Sequence, residues 1–557
     1  MFTQTLVPGG SLLVIMLWAL VPLAALLFLL AALRTSAWLA TLIVSAISIP
    51  LAIFVWGSPT NGTLHAYLYG GLQGVWSIDW ITFWGLIIFN TLVVTGDFER
   101  FKQWMVRQAT ADVRIQTIML AWAFGALLEG LVGFGYPWAV VVPILVGLGI
   151  VDLDAIRVAA LANNAPVSYG ALGAPIIALA AVTGLPLMAL SASVGHIVAV
   201  LAILPPWVLI YLVTDWQGMI EAWPLAIVAS ASYIAGQWPV AQYLGPYLPD
   251  LSGALVSFWV LFVFVKYWKP ATIRGFGGAP LAAAGAGGGG AVLMNGGMPD
   301  APVGGRSAAS VAVAPPVAGE GLKVWLPYIV LIAVVVAWTG PWSHLPGISM
   351  LKLQVGAISS VTHQISSSTF NFTPLSGGTS ILASWLLILL MLRPSARDIQ
   401  TVFAKTFHQM WGALLVGFFI FGVAYVFVYA GMANSLAYAL SKIGPWFVVL
   451  APILGWIGVA LSGSNTSTNA MFGPVQAVTG GLLKLPVLLL PSFNSVGAEV
   501  GKPIAPQTAS IGVATSRFVR SEGQVIRHNM GWTFIMLGYL ILISLLFYLV
   551  FPGAMAL

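Results

Sequence analysis

The sequence predicts an all-α polytopic membrane protein of about 12 to 14 membrane segments, arranged as two inverted repeats with broken or re-entrant helices. Three observations carry that expectation. Charged residues make up 6% of the 557-residue chain and hydrophobic ones 59%, with a mean hydropathy of +0.98, so the charged surface of a soluble globule cannot be built. Apolar runs near the roughly 20 residues that span a bilayer recur along the whole length, SLLVIMLWALVPLAALLFLLAAL being the first. Segments of the two halves also resemble each other in the same order. Helices are the expected form because hydrocarbon offers the backbone no water to bond, and the short alternating segments of a β-barrel are missing.

The first run has neither a basic region ahead of it nor a convincing small-residue cleavage site, which reads as a retained helix and not a removed signal peptide. The net charge of +6 reports orientation here, because the basic residues cluster in short loops between apolar runs. Arg34 follows the first span, and Arg100, Lys102, Arg107 and Arg114 fill the loop after the third. Lys266, Lys269, Arg274, Arg306 and Lys323 bracket a long central loop, and Arg393, Arg397 and Lys405, then Arg517, Arg520 and Arg527, mark two more. All five loops are expected on the cytoplasmic side, with the stretches 56 to 79 and 340 to 364 and both termini outside.

The resulting division is 1–79, N-terminal membrane helices; 80–270, a first transport repeat with following helices; and 271–322, a flexible Gly, Ala and Pro-rich cytoplasmic linker. Connecting membrane helices at 323–408 and a second, inverted repeat with a C-terminal helix at 409–557 complete it.

The repeat rests on three pairs. LVVTGDFERFKQWM (92–105) resembles FVYAGMANSLAYAL (427–440), ALLEGLVGFGYPWAV (126–140) resembles GVALSGSNTSTNAMFG (458–473), and NNAPVSYGALGAP (163–175) resembles NSVGAEVGKPIAP (494–506). By the charge bias the segment before LLEG starts inside and the segment before ALSG starts outside, so the repeats are inverted. In such transporters, broken helices near the midplane present backbone amides to an anion. GSNTSTN fits that role, and Gly133 and Gly135 give its partner the same backbone freedom. The competing reading is that these Ser and Thr residues only join neighbouring helices.

Intramembrane ionisable residues are few, and each is a candidate for coupling. Glu129 stands beside the first break; Glu499 and Lys502 lie three apart, a spacing at which they would pair on a regular helix. The candidate substrate-binding set is Gly133, Phe134, Gly135, Asn164, Ser464, Asn465, Thr466, Ser467, Asn469 and Lys502, with Lys502 facing the substrate carboxylate. Glu129 and Glu499 are the candidate proton-coupling residues. Against this stand a purely structural Glu499–Lys502 pair and a Glu129 that only caps its break.

His196 reads as a packing residue more readily than as a relay, Asp250 as the end of an external turn, and Tyr136 and Tyr169 as secondary contacts. His65, His344 and His363 show no metal-ligand spacing, and the absence of cysteine excludes disulfides and thiolate metal sites. No nucleophile motif, HExxH or phosphate loop is present, so neither enzymatic chemistry nor an ATP-driven pump is expected.

EGLVGFG, WAVVVPILVGLGI, NNAPVSYGALGAPI, AQYLGPYLPDLSGALVSF, GSNTSTNAMF and GKPIAPQTASIGVA, in this order and spacing, resemble the L-lactate permease family of bacteria and archaea. The similarity covers most of the chain outside the central insert. The resemblance implies a multi-pass protein of the cytoplasmic membrane that imports L-lactate, and often D-lactate and glycolate, together with H+. It implies no cofactor, no metal and no nucleic-acid partner. A carrier of another small organic anion, or one coupled to Na+, is the alternative; a channel or a membrane sensor is the reading from a different class.

Overall fold

The computed structural model describes residues 2–6, 10–108, 110–133, 135–281, 320–361, 363, 365–516 and 521–557. Phe134, Arg306, Arg517, Arg520 and most of the expected 271–322 linker lie outside the described residues. Eight of the described helices are long and apolar enough to cross a bilayer: Leu12–Leu30, Ala37–Phe54, Thr60–Val94, Leu187–Val213, Pro249–Tyr267, Ala396–Ala430, Gly444–Ser462 and Glu522–Leu549. Asp152–Ala162 and Val167–Thr183 form a further pair bent by 68°, and Pro137–Gly147, Lys323–Thr339 and Gly377–Leu392 are shorter apolar helices.

Two helices set the scale of the molecule. Thr60–Val94 and Ala396–Ala430 each run for 35 residues, about 52 Å at 1.5 Å per residue, against a hydrocarbon core of about 30 Å. They pack on each other over much of that length. The stretch 56–79, expected as an external loop, is therefore mostly helix: Thr60–Gly74 continues through a π-turn at Val75–Asp79 into Trp80–Val94. The stretch was placed outside for its lack of basic residues, which says nothing of its backbone. A Cβ at Gly62, Gly70, Gly71 or Gly74 would run into Tyr429, Tyr425, Phe418 or Phe421 of the second long helix, so these positions are small to let two backbones approach. The boundaries drawn at 79/80 and 408/409 both fall inside these continuous helices.

From each long helix the chain runs through the same succession. A glycine in the left-handed region, Gly96 (φ 78) or Gly431 (φ 87), ends the helix and opens a short one, Asp97–Gln108 or Met432–Ser441. A helix, a break and a helix follow: Phe124–Leu131 then Tyr136–Gly147 in the first half, Phe447–Ser462 then Asn465–Leu482 in the second. A second broken helix comes next in both, Asp152–Ala162 with Gly170–Thr183 and Leu489–Gly501 with Pro506–Thr515.

The molecule is not wholly helical. Leu351–Ile358 pairs antiparallel with Ile365–Phe372, Leu351 opposite Phe372 and Ile358 opposite Ile365, and Phe2–Thr3 adds a short parallel strand. The residues 340–364 had been expected only as an external loop; the alternation LKLQVGAI, with Leu351, Leu353, Val355 and Ala357 on one face, is the strand signal within it. The hairpin rests on the ends of the long helices, where Ser368 Oγ donates to Tyr425 O at 3.4 Å and Asn371 N to Gln73 Oε1 at 3.0 Å.

Loops far apart in sequence close one end of the molecule. Arg114 is fully buried and donates to both carboxylate oxygens of Asp112 at 2.9 and 2.6 Å, to Gly218 O and Thr272 O at 3.1 and 2.7 Å, and to Glu221 at 3.4 Å. Arg274 forks onto Glu221 at 2.8 and 2.7 Å. The loop at 112–114 and the start of the central loop therefore share one face, as their charges led one to expect.

Candidate functional site

Four helix breaks, two from each half, meet in the interior. The first, after Leu131, holds Gly133 (φ 65) and Gly135 (φ 79); a Cβ on Gly133 would sit 3.0 Å from Ala171, and one on Gly135 2.5 Å from Ile511. The second spans Asn163–Tyr169 and ends in three successive left-handed residues, Ala171 (φ 47), Leu172 (φ 57) and Gly173 (φ 83). For each non-glycine this costs about 1–2 kcal/mol, retained where surrounding packing over-determines the backbone. The third is Gly463 (φ 74) and Ser464, and a Cβ on Gly463 would meet Gln507 Oε1 at 2.5 Å. The fourth is the 3₁₀ turn Lys502–Ile504 before Pro506–Thr515.

Each break thus hands over to the N-terminus of a following helix, where unpaired amides gather. At Asn465–Leu482 the Ser464 hydroxyl accepts the Ser467 N–H at 3.2 Å, which leaves the first-turn amides of Asn465 and Thr466 outside the intrahelical ladder. Around these ends lies a cavity of about 430 Å³. Glu129, Gly133, Gly170, Ala171, Ser464, Asn465, Thr466, Ser467, Lys502 and Gln507 line it, together with Asp79, Gln409, Gly417 and Phe421 from the two long helices.

The ion pair of the cavity differs from the one the spacing suggested. Lys502 Nζ meets Glu129 Oε1 at 2.7 Å, both groups buried, because the helix Leu489–Gly501 stops before Lys502 and the turn sends its side chain across to the first half. Glu499 is held apart: its Oε1 accepts the Ser168 N–H at 2.8 Å. Ser168 and Glu499 are each the sixth residue of the two resembling segments NNAPVS and NSVGAE, so equivalent positions of the halves touch. The second carboxylate oxygen of Glu129 accepts from Asn163 Nδ2 at 3.0 Å.

Behind the cavity wall a chain of amides and hydroxyls ties the halves together. Asn465 Nδ2 donates to Ser495 O at 3.1 Å, Asn469 Nδ2 to Pro175 O and Ser495 Oγ, both at 3.0 Å, and Asn494 Nδ2 to Asn469 Oδ1 at 3.0 Å. Ser168 Oγ and Ser495 Oγ lie 3.0 Å apart.

Of the residues singled out from sequence, the structure brings Glu129, Gly133, Ser464, Asn465, Thr466, Ser467 and Lys502 to one cavity. Gly135 packs against Ile511, Asn469 braces the wall, Glu499 sits behind it, and Asn164 is buried with its amide unpaired among the described residues. Asp250 corrects an expectation: it is 1% exposed, not the end of an external turn. It opens Pro249–Tyr267, accepts from Tyr233 Oη at 3.1 Å, and lies where a Cβ on Gly130 would touch it. Tyr169 is buried with its hydroxyl on Ser191 O at 2.5 Å and is not among the residues lining the cavity. Sequence reasoning missed Asp79, Asn163, Ser168, Gln409 and Ser495; the only signal for Asp79 is an acid inside the aromatic stretch WSIDW.

Residues 15–552 match the family described as L-lactate permease. Among curated proteins the chain is similar to the glycolate permease GlcA of Escherichia coli (strain K12), 32% identical over 99% of both chains. It is likewise similar to the L-lactate permease of Bacillus subtilis (strain 168), 31% identical over 99% of both. Among solved structures, the Alcanivorax borkumensis YdaH transporter aligns with 93% of this chain and 99% of its own at 14% identity and a TM-score of 0.49.

Proposed function

Because the chain belongs to the L-lactate permease family, we propose that it imports a small 2-hydroxymonocarboxylate, L-lactate first and D-lactate and glycolate beside it, across the cytoplasmic membrane together with a proton. It is a multi-pass membrane permease and not an enzyme. The observation that carries the reading is the Lys502–Glu129 pair at 2.7 Å in a cavity rimmed by helix N-termini.

The mechanism follows from keeping buried charge near zero. In the empty cavity the ammonium and the carboxylate cancel. An arriving anion takes the ammonium of Lys502 and first-turn amides at Asn465 and Thr466, and Glu129 loses its counter-charge. An unpaired buried carboxylate is costly, so Glu129 takes a proton, and the loaded cavity is again neutral. One proton is thereby tied to one anion without a metal or a cofactor taking part. Glu499, one oxygen held by Ser168 N–H and the other buried without a partner among the described residues, is the second group that can carry the proton. The matching succession of long helix, glycine, short helix and two broken helices supports reading the halves as inverted repeats. A total of 12 to 14 segments requires the shorter apolar helices and the broken ones to cross as well as the eight long spans among the described residues.

The test is uptake of radiolabelled L-lactate into proteoliposomes under an inward proton gradient, with Na+ present or absent and the potential clamped. Accumulation driven by the proton gradient alone is expected, and Glu129→Gln should abolish it while leaving the protein monodisperse. Uptake that requires Na+, or none of lactate, overturns the reading in favour of another anion carrier.

A further inference from the structure

The part of the cavity wall formed by the long helices carries an acid with no counterpart. Asp79 is 5% exposed, lines the cavity, and its Oδ2 is buried without a hydrogen-bond partner among the described residues. It ends the π-turn Val75–Asp79 in the middle of the helix Thr60–Val94. Such turns insert a residue into the α-helical ladder and re-aim a side chain, and they concentrate at functional positions. Gly417 on the other long helix faces it: a Cβ there would collide with the Asp79 carboxylate, so the absence of a side chain at 417 leaves room for the acid.

The groups around Asp79 can be named by element. Trp80–Val94 and Gly170–Thr183, both packed on the π-turn, carry no titratable side chain. On Ala396–Ala430, Tyr425 and His408 lie eight and nine residues from Gly417, about 12 and 13 Å of helix rise. On Thr60–Gly74 the nearest titratable group, Tyr69, is ten residues back, about 15 Å. The charged groups sharing the cavity are Glu129 and Lys502, which neutralise each other. A buried carboxylate with neither cation nor donor is unfavourable, whereas the neutral acid offers one O–H to whatever fills the cavity.

We propose that Asp79 is a further proton-bearing group, one that lines the cavity itself, kept as the carboxylic acid and donating its O–H to an oxygen of the bound monocarboxylate while Lys502 holds the anion. This rests on reading the cavity as the anion site. Deprotonated Asp79 would repel the anion instead, so alkaline pH weakens binding through this residue even where Glu129 is unchanged.

The experiment is equilibrium binding of radiolabelled L-lactate to the purified full chain in detergent from pH 5.5 to 9, which needs no proton gradient. Asp79→Ala should raise the half-saturation concentration about tenfold or more at acid pH. Asp79→Asn, isosteric and still a donor, should stay within about threefold of wild type at pH 5.5 and weaken less than wild type at alkaline pH, keeping only the share that proton uptake by Glu129 imposes. Gly417→Ala, which keeps the carboxyl but displaces it, should weaken binding at every pH. If Asp79→Asn is monodisperse and keeps the wild-type pH profile, or if Asp79→Ala binds like wild type, the inference is wrong while the cavity reading stands. If the wild type binds no lactate, both fall.

Discussion

Two clusters of buried charge show what satisfaction of hydrogen bonds does to a charged group. At one end of the molecule, the five N–H donors of Arg114 meet five acceptors on Asp112, Gly218, Glu221 and Thr272, and Glu221 in turn takes a two-pronged bond from Arg274. In the cavity, Lys502 has three N–H donors but, among the described residues, one acceptor, Glu129. Buried acceptors around it, Asn163 Oδ1, Asn465 Oδ1 and Glu499 Oε2, are unpaired among the described residues. A completed network gains nothing from a ligand and locks two loops together. An incomplete one is relieved by a ligand that brings its own charge and oxygens.

That contrast can be broken from either side. The largest effect is expected at Arg114→Ala, which strands Asp112 as a buried charge and should cost about 3–5 kcal/mol. Thermal unfolding in detergent would read it as a steep drop in the melting temperature, with the half-saturation for lactate of the folded fraction unchanged; a change in half-saturation without a stability loss would erase the distinction. Next comes Lys502→Ala. Losing a charge-assisted contact of about 1.5–3 kcal/mol should raise the half-saturation constant roughly 10- to 150-fold. Stability should fall less than for Arg114→Ala, because the stranded Glu129 takes a proton and keeps its bond from Asn163, whereas Arg114→Ala also opens the contacts to Gly218 and Thr272; comparison of the two melting curves would check it.

Ser464→Ala removes the cap on Ser467 N–H and should lower stability by about 1 kcal/mol, with a smaller rise in half-saturation through fraying of the amides at the cavity. The smallest effect sharpens the comparison through pH. Hydrogen bonding from the Arg274 guanidinium holds Glu221 below its ordinary value of 4.5. A group lowered by folding contributes in full above its unfolded pKa and loses that contribution as pH falls through the lower folded value. The peripheral cluster should therefore leave stability flat from pH 5.5 to 8 and weaken only below about pH 4.5. Lactate transport should vary within the flat window, which separates the two clusters in a single pair of pH profiles.

Much of the site was legible along the chain because its backbone breaks have a local chemistry. GSNTSTN and EGLVGFG announce themselves, since so long a run of small or polar residues inside an apolar stretch marks a place where the helix breaks or binds. The partners of the charged groups were not legible. Lys502 and Glu499 stand three apart, yet the helix ends between the lysine and any regular spacing, and Lys502 finds Glu129 across 373 positions. The Gly-rich stretch before Asp79 was expected outside, and its helix was not legible for a related reason: the rings that fill the space beside Gly62 and Gly70 belong to the other long helix. Asp250 was placed outside by its Pro-rich surroundings, whereas those residues open a helix that carries the acid inward onto Gly130.

Composition and the spacing of apolar runs determined the membrane setting and the helical form, because each depends only on what hydrocarbon demands of a short stretch of backbone; the family came from the resemblance of particular motifs such as EGLVGFG and GSNTSTNAMF. The order of the broken segments, also local, placed the candidate site. The tertiary structure alone decided which buried charges pair, which acid faces the cavity alone and which hairpin caps the long helices. Those outcomes depend on side chains hundreds of residues apart reaching within 3 Å of one another, and no local pattern records such a distance.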